Sequence, residues 1–365
     1  MLKKLFATVA IASIAQGAAA DLSGKTWDEI VAQAKEEGEL TWYVWYLQDD
    51  FRGAVQAFEE EYGITVVIPE GTKDGNFQKL IAEQGRDTGD IDVFAIGWES
   101  FETVNLSEFF YPLAFLPTDD GRTGALGGFD AEGYAYAYWG NQTGIAYEPS
   151  QVAAEDLPQT PEDFAAFWAA NPGKFGFNYE NGGSGPSYIQ NMLRVTSGTD
   201  WSDASDSAER LANFDDGIAF FNEHAENYVI TASNADSITR ISDGELWMAP
   251  AWEDHLAGLQ KRNEVRSDIA YYIPEMGMNG GGNGVSIPLN AEHPAAAAVF
   301  INWLTSAEVQ TSFNVNFGTA PMHAAADDSA ALVPNEQRAY RTNWAPQPLA
   351  NALMPRFIDE VVQER

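Results

Sequence analysis

The chain has 365 residues, no cysteine, and 54 acidic against 20 basic side chains, for a formal charge of −34. That length accommodates two domains with real cores. The missing thiols exclude disulfides, thiolate metal sites, a cysteine nucleophile and a lipid-bearing N-terminal cysteine, and the acidity makes nucleic acid and anionic lipid poor partners.

Residues 1–20 read as a leader rather than as fold. Met1-Leu2-Lys3-Lys4 is basic, Leu5 to Ile14 is apolar, and Gly17-Ala18-Ala19-Ala20 supplies the small residues of a cleavage site. This is the pattern of a secretory signal peptide cut before Asp21, and the apolar run is too short for a membrane anchor. Without the leader the charge becomes −36. Such acidity suits a cationic ligand, but net charge speaks first to solubility. An exported, unanchored, cysteine-free chain is expected to reside free in a Gram-negative periplasm, as a monomer.

A helix is expected from Thr26 to Glu37, with Trp27, Ile30, Val31 and Ala34 at helical spacing. The strand Leu40 to Tyr46 then carries aromatics on both faces, the pattern of a strand covered on both sides. Asp49 or Asp50 caps a second helix with Phe51, Val55, Phe58 and Tyr62 on one side, and Gly63 ends it. Strand Ile64–Ile68, helix Asn76–Gln84 and strand Ile91–Ile96 complete β-α-β-α-β, the mark of a parallel, doubly wound sheet. Ligands of such sheets bind beyond the carboxyl ends of the strands, which brings Tyr46-Leu47-Gln48-Asp49 and Trp98-Glu99-Ser100 to a crevice.

The middle of the chain changes character. "GYAYAYWGNQTGIAYEPS" (Gly133 to Ser150) is a long extended stretch that leaves one domain and enters another. A Pro-started helix bearing Phe164, Phe167 and Trp168 follows, then a Gly/Ser loop at Asn181 to Ser187 that opens another helix. Helices near Ala208–Asn213 and Asp216–His224 lead to a short strand, Leu246 to Pro250, followed by Trp252-Glu253-Asp254. "AYYIPEMGMNGGGNGVSIP" returns through a second extended stretch, and the residues from Pro294 to Phe313 read as one long amphipathic helix. Two extended connections bracketing about 135 residues imply two lobes joined by two strands, an architecture that hinges around a ligand.

These stretches resemble the two-lobed solute-binding proteins of bacterial ABC importers. "YAYWGNQTGIAYEPS" resembles their first crossover, and Pro274-Glu275-Met276-Gly277 with Ser286-Ile287-Pro288 resembles the second crossover of spermidine and putrescine receptors. "NPGKFGF" and the loop before "YIQNML" look closer to a branch near the thiamine receptors. The resemblance implies an α/β fold of the type II periplasmic binding proteins, each lobe a mostly parallel sheet with flanking helices. Residues 21–143 with 285–365 would form the first lobe and 144–284 the second. It also implies permease subunits as partners. The chain departs from the polyamine receptors at "NGGGNG", where they carry a large aromatic, and it lacks their second carboxylate after Glu275.

Candidate ligand-binding residues follow from strand ends, crossovers and helix starts: Tyr46, Gln48, Asp49, Trp98, Glu99, Trp139, Asn141, Gln142, Ser184, Ser187, Trp252, Glu253, Asn279 and Asn283. Aromatics with amides suit a carbohydrate or polyol. Aromatics with carboxylates suit a polyamine, thiamine or another organic cation. Related iron receptors hold the metal with adjacent tyrosines late in the second lobe, and the stretch "AENYVITAS" has only Tyr228. His224, His255, His293 and His323 form no metal or catalytic motif, and no nucleotide-binding or serine-hydrolase signature occurs. No metal, cofactor or catalytic residue is therefore expected. The alternative is a secreted hydrolase with Glu99 facing Glu253 as a carboxylate pair.

Overall fold

The computed structural model describes residues 22–126, 129–333 and 335–364, so the leader at 1–20 and its cleavage point lie outside the described residues. Two compact units divide the chain: one runs to Phe94 and adds Ser107–Pro117 and Ile287–Phe300, and the other takes Ala95–Leu106, Thr118–Ser286 and the residues from Ile301 on. Among the described residues no helix is long and apolar enough to cross a membrane.

In the first unit, strand β1 (Glu39–Tyr43) pairs in parallel with β2 (Thr65–Val67) and with the start of β3 (Val93–Gly97). The helix Trp27–Glu37 leads into β1. Thr26 and Glu29 form a capping box at its start, and Gly38 (φ 74°) ends it in the left-handed conformation that glycine adopts without strain. Leu40, Trp42 and Val44 are fully buried, while Tyr43 and Trp45 on the opposite side are half-buried. The expected double cover is thus complete on one face only. Trp42 lies 4.8 Å from Phe51 and 5.2 Å from Phe300, ring to ring, at the centre of this core.

Two carboxylates, the buried Asp92 and the half-buried Glu37, lock the return of the chain into this unit. Asp92 accepts from the Thr41 N–H at 2.8 Å and from the His293 N–H at 2.7 Å, and its Oδ2 lies 3.0 Å from His293 Nδ1. Glu37 accepts from the N–H groups of Ala295 and Ala296, so a side chain from the end of the first helix satisfies orphan donors at the start of the helix Pro294–Leu304.

The sequence expectations shift at two helix boundaries. Residues 48–62 form two helices, Gln48–Ala54 and Gln56–Tyr62, and the first begins after Leu47, so Asp49 and Asp50 sit in its first turn rather than at its cap. There they still favour the positive helix end. The long helix expected over 294–313 is likewise two, Pro294–Leu304 and Ala307–Phe317, because Ser306 caps a fresh start by accepting from the Val309 N–H.

In the second unit, β4 (Ala125–Leu126) and β5 (Phe129–Asp130) form a small antiparallel pair ahead of β6 (Tyr136–Tyr147), the first expected crossover. Beyond it come β7 (Gly176–Phe177), β8 (Val229–Ile230), β9 (Met248–Trp252), β10 (Ala270–Tyr272), β11 (Met278–Ser286) and β12 (Arg341–Thr342). Strand β6 pairs antiparallel with β9, β10 and β11, while β7–β8 and β11–β12 are parallel. The β6–β11 ladder shifts register between Asn283 and Gly284. A Cβ at Gly284 would meet the Phe101 ring at 2.6 Å and the Trp98 ring at 2.9 Å, so the shift falls where the backbone must leave room for two aromatics.

Candidate functional site

The first unit sends the end of β1 into a short aromatic turn. Leu47 adopts φ 50°, a conformation unusual for a side chain with a Cβ, and leaves 38% of its surface exposed. Such strain is tolerated where the surroundings hold it. Gln48 supplies part of that hold, donating to Gly71 O at 3.1 Å, and the buried Asn76 donates to Val44 O at 3.3 Å. Tyr46 stands edge-on to Trp45 (5.0 Å) and Phe51 (5.5 Å), half-buried, with Lys73 Nζ 5.9 Å above the Trp45 ring. Asp49 is 97% exposed and pairs with Arg52 at 2.5 Å.

In the second unit several of the expected site residues are buried and internally satisfied. Trp98 donates to Phe129 O at 3.2 Å, and Trp139 donates to Asp254 Oδ2 at 3.0 Å while its ring meets Phe313 and Phe317. Asn283, opposite Trp139 across the strands, is buried as well. The side chain of Glu99 lies outside the described ones. Gln142 donates to Thr143 O at 2.8 Å and to Met278 O at 3.2 Å, pinning β6 to β11.

Ser184 and Ser187 belong to two buried networks at the start of the helix Ser184–Thr196. Ser184 donates to Asn234 Oδ1 at 2.6 Å. Ser187 Oγ lies 2.6 Å from Thr143 Oγ1 and accepts from the Asn279 N–H at 2.9 Å. Asn279 then donates through Nδ2 to Asn343 O at 2.6 Å and accepts from Asn191 at 3.0 Å. Buried polar side chains need such partners, and these residues thereby hold the helix, β6, β11 and β12 together.

Three features are still available to a ligand. Trp252, half-buried at the end of β9, lies 6.3 Å from the half-buried Trp344 at 37° between rings, and its edge faces the Gly183 backbone. Asn141 is half-buried opposite Gly281, and its side chain makes no hydrogen bond to any described residue. The third feature is Arg341, three residues after an arginine that is already engaged. Arg338 forms a two-pronged contact with Glu253, at 2.9 and 3.0 Å, and Glu253 also accepts from the Leu332 N–H. Glu253 is 1% exposed; burial pushes its pKa up, against the pull of Arg338. Arg341 lies on β12, its stem crossing Gly280 beside the Gln142 amide.

Residues 53–339 match the family of bacterial extracellular solute-binding proteins. The chain belongs to that family. No curated protein matches it in sequence. Its fold is shared with solved solute-binding proteins of differing description. One is a spermidine/putrescine ABC transporter substrate-binding protein from Streptococcus pneumoniae (TM-score 0.65, 15% identity, 89% of this chain and 98% of that one). Another is a maltodextrin-binding protein from L. casei (0.61, 15%, 90% and 94%). A third is an iron-bound protein from Pseudomonas aeruginosa (0.58, 18%, 89% and 98%). The likeness establishes the two-lobed α/β fold of periplasmic binding proteins.

In this solute-binding protein the sequence reading passed over Arg338, Arg341 and Trp344. A signal was there: "RAYRTNW" places two of the chain's 20 basic residues three apart beside a tryptophan, in a chain otherwise dominated by acids. Among the described residues no cluster of three or more metal-ligating side chains occurs.

Proposed function

We propose that this chain is the solute receptor of an ABC importer. Freed of residues 1–20, it works as a periplasmic monomer that takes up a small polar solute and delivers it, unchanged, to permease subunits. The lobes are taken as 21–143 with 285–365 and 144–284, and ligand binding selects the closed arrangement because that state offers contacts the open one lacks. The observation that carries the reading is the partly exposed Trp252–Trp344 pair at a helix start, in a chain of the extracellular solute-binding family. Aromatic surfaces with a few directed polar groups are the usual composition of a solute site.

Composition alone leaves a neutral hydroxylated solute and an organic cation level. The fork between Arg338 and Glu253 withdraws that carboxylate from a cationic ligand, and equally from a hydrolase pair with Glu99, which would need two working carboxylates across a cleft.

The test is thermal unfolding of residues 21–365 with sugars, polyols, polyamines, thiamine and organic acids, with each solute assayed for chemical change. A ligand at about 100 times its dissociation constant adds roughly 2.7 kcal/mol, a shift of several degrees. A shift with the solute recovered intact supports the receptor. Consumption of a solute, or no shift in any class, overturns it.

A further inference from the structure

Every other described arginine has an acidic partner or a side-chain hydrogen bond. Arg52 pairs with Glu70, Arg266 with Asp268 and Arg356 with Asp215, while Arg122 donates to Asn302, and Arg194 and Arg210 donate to backbone carbonyls. Arg341 differs. Its side chain makes no hydrogen bond and no ion pair to any described residue. Burial, and after it the like charge of Arg338, hold the guanidinium below its ordinary pKa.

This is an unfavourable place for a guanidinium. The group stays charged at any physiological pH, so it cannot escape partial burial by losing a proton as a lysine could. A buried charge without a partner costs far more than a paired one. The chain holds 54 acidic side chains, yet Glu253 is occupied by Arg338 and, among the described residues, no acid pairs with Arg341. The backbone is also shaped for the side chain: a Cβ at Gly280 would collide with both the Arg341 stem and the Gln142 amide. The same short segment is fixed by Asn279, which donates to Asn343 O, and it ends at Trp344 against Trp252. One four-residue run thus carries a half-buried, partnerless cation and one half of an aromatic pair.

We propose that Arg341 holds a carboxylate of the transported solute, so that the receptor takes a small organic acid or zwitterion whose carbon frame lies against Trp252 and Trp344. The inference rests on the receptor reading above and assigns its solute class. A planar carboxylate fits the guanidinium fork with two parallel hydrogen bonds, which a hydroxyl or an ammonium cannot make. The incoming charge supplies the partner that the fold withholds, so binding relieves a cost already present in the empty protein.

The test compares matched compounds on residues 21–365: butyrate, 4-aminobutyrate, 1-butylamine and 1,4-diaminobutane, then gluconate against glucitol and glucose. Wild type, Arg341→Gln and Arg341→Lys are followed by thermal unfolding and titration calorimetry. Arg341→Gln should melt no lower than wild type without ligand, since no hydrogen bond or ion pair is lost, the shorter stem can still cover Gly280, and the like charge beside Arg338 is removed. At least one carboxylate-bearing compound should raise the wild-type midpoint while its uncharged or cationic counterpart does not. Arg341→Gln should then weaken that compound about 30-fold or more, with Arg341→Lys between the two. A carboxylate shift that survives in Arg341→Gln overturns the assignment. Stabilisation by neutral or cationic compounds alone overturns it too, while leaving the receptor reading intact. No shift with any compound overturns the carboxylate assignment as well, while the receptor reading is decided by the wider panel above.

Discussion

Asp254 gives the solute-binding protein a pH dependence that can be worked through from its contacts. Its carboxylate accepts from Trp139 Nε1 and from the His255 N–H, each at 3.0 Å, yet burial, with a smaller push from Glu253, raises its pKa from 3.8 to about 6. A carboxyl with a raised folded-state pKa holds its proton more tightly when folded. Its stabilising contribution is therefore complete below the unfolded value near 4 and is lost as pH climbs through about 6. The interval corresponds to at most about 3 kcal/mol, and the residue's remaining solvent contact brings this to about 2–3 kcal/mol. Asp254→Asn removes the ionisation. Its single oxygen can satisfy only one of the two N–H donors, a loss of about 1 kcal/mol. The variant should therefore be more stable than wild type by about 1–2 kcal/mol at pH 7.5 and equal or slightly weaker at pH 4. Urea unfolding of both proteins from pH 4 to 7.5 at constant ionic strength isolates the group, because the other carboxylates cancel in the difference. A flat difference curve would refute the reasoning.

Glu253→Gln leaves Arg338 without its fork. A fully buried pair broken on one side costs about 3–5 kcal/mol; Arg338 keeps some solvent, so about 2–3 kcal/mol is expected in the denaturant midpoint, and an unchanged midpoint would show the pair contributes nothing. Trp252→Ala should weaken binding of the solute found in the panel by more than about 1 kcal/mol in calorimetry with the unfolding midpoint of the empty protein little changed; unaltered affinity would take the indole out of the site. Gly284→Ala forces a Cβ against Phe101 and Trp98 and should cost about 1–3 kcal/mol by thermal melting, whereas a neutral result would mean the rings can move aside.

The sequence shows best what is decided locally. Pro161 announces the helix Pro161–Ala170, whose capping box is formed by Thr160 and Asp163, and Gly63 ends its helix at φ 71°, as a glycine at that position should. The long strands at 136–147 and 278–286 are legible because long extended runs of aromatics or glycine have few other uses. What fails is anything set by a distant partner. Whether an indole lines a site or a core depends on where its N–H ends up, and for Trp139 that is Asp254, 115 positions away. The charge on Glu253 reads as free in the sequence, yet it is met by an arginine 85 residues later. The run "RAYRTNW" is unusual in the sequence, but it comes beside Gln142 and Trp252 only through β12 next to β11, a two-residue strand with no periodicity to betray it.

That short strand also changes what the C-terminal stretch is for. The fully buried amide of Asn279 finds its acceptor in Asn343 O, and the Ala345 N–H donates to Gln190 Oε1 at 3.0 Å. A protease cut after Tyr340 would strand both amides in the interior, at roughly 1–3 kcal/mol for each unsatisfied group. Limited digestion should therefore find these residues protected, and a library randomising 341–345 would be filtered first for folding, through partners 64 and 155 positions upstream, before any variant could be compared for what it binds.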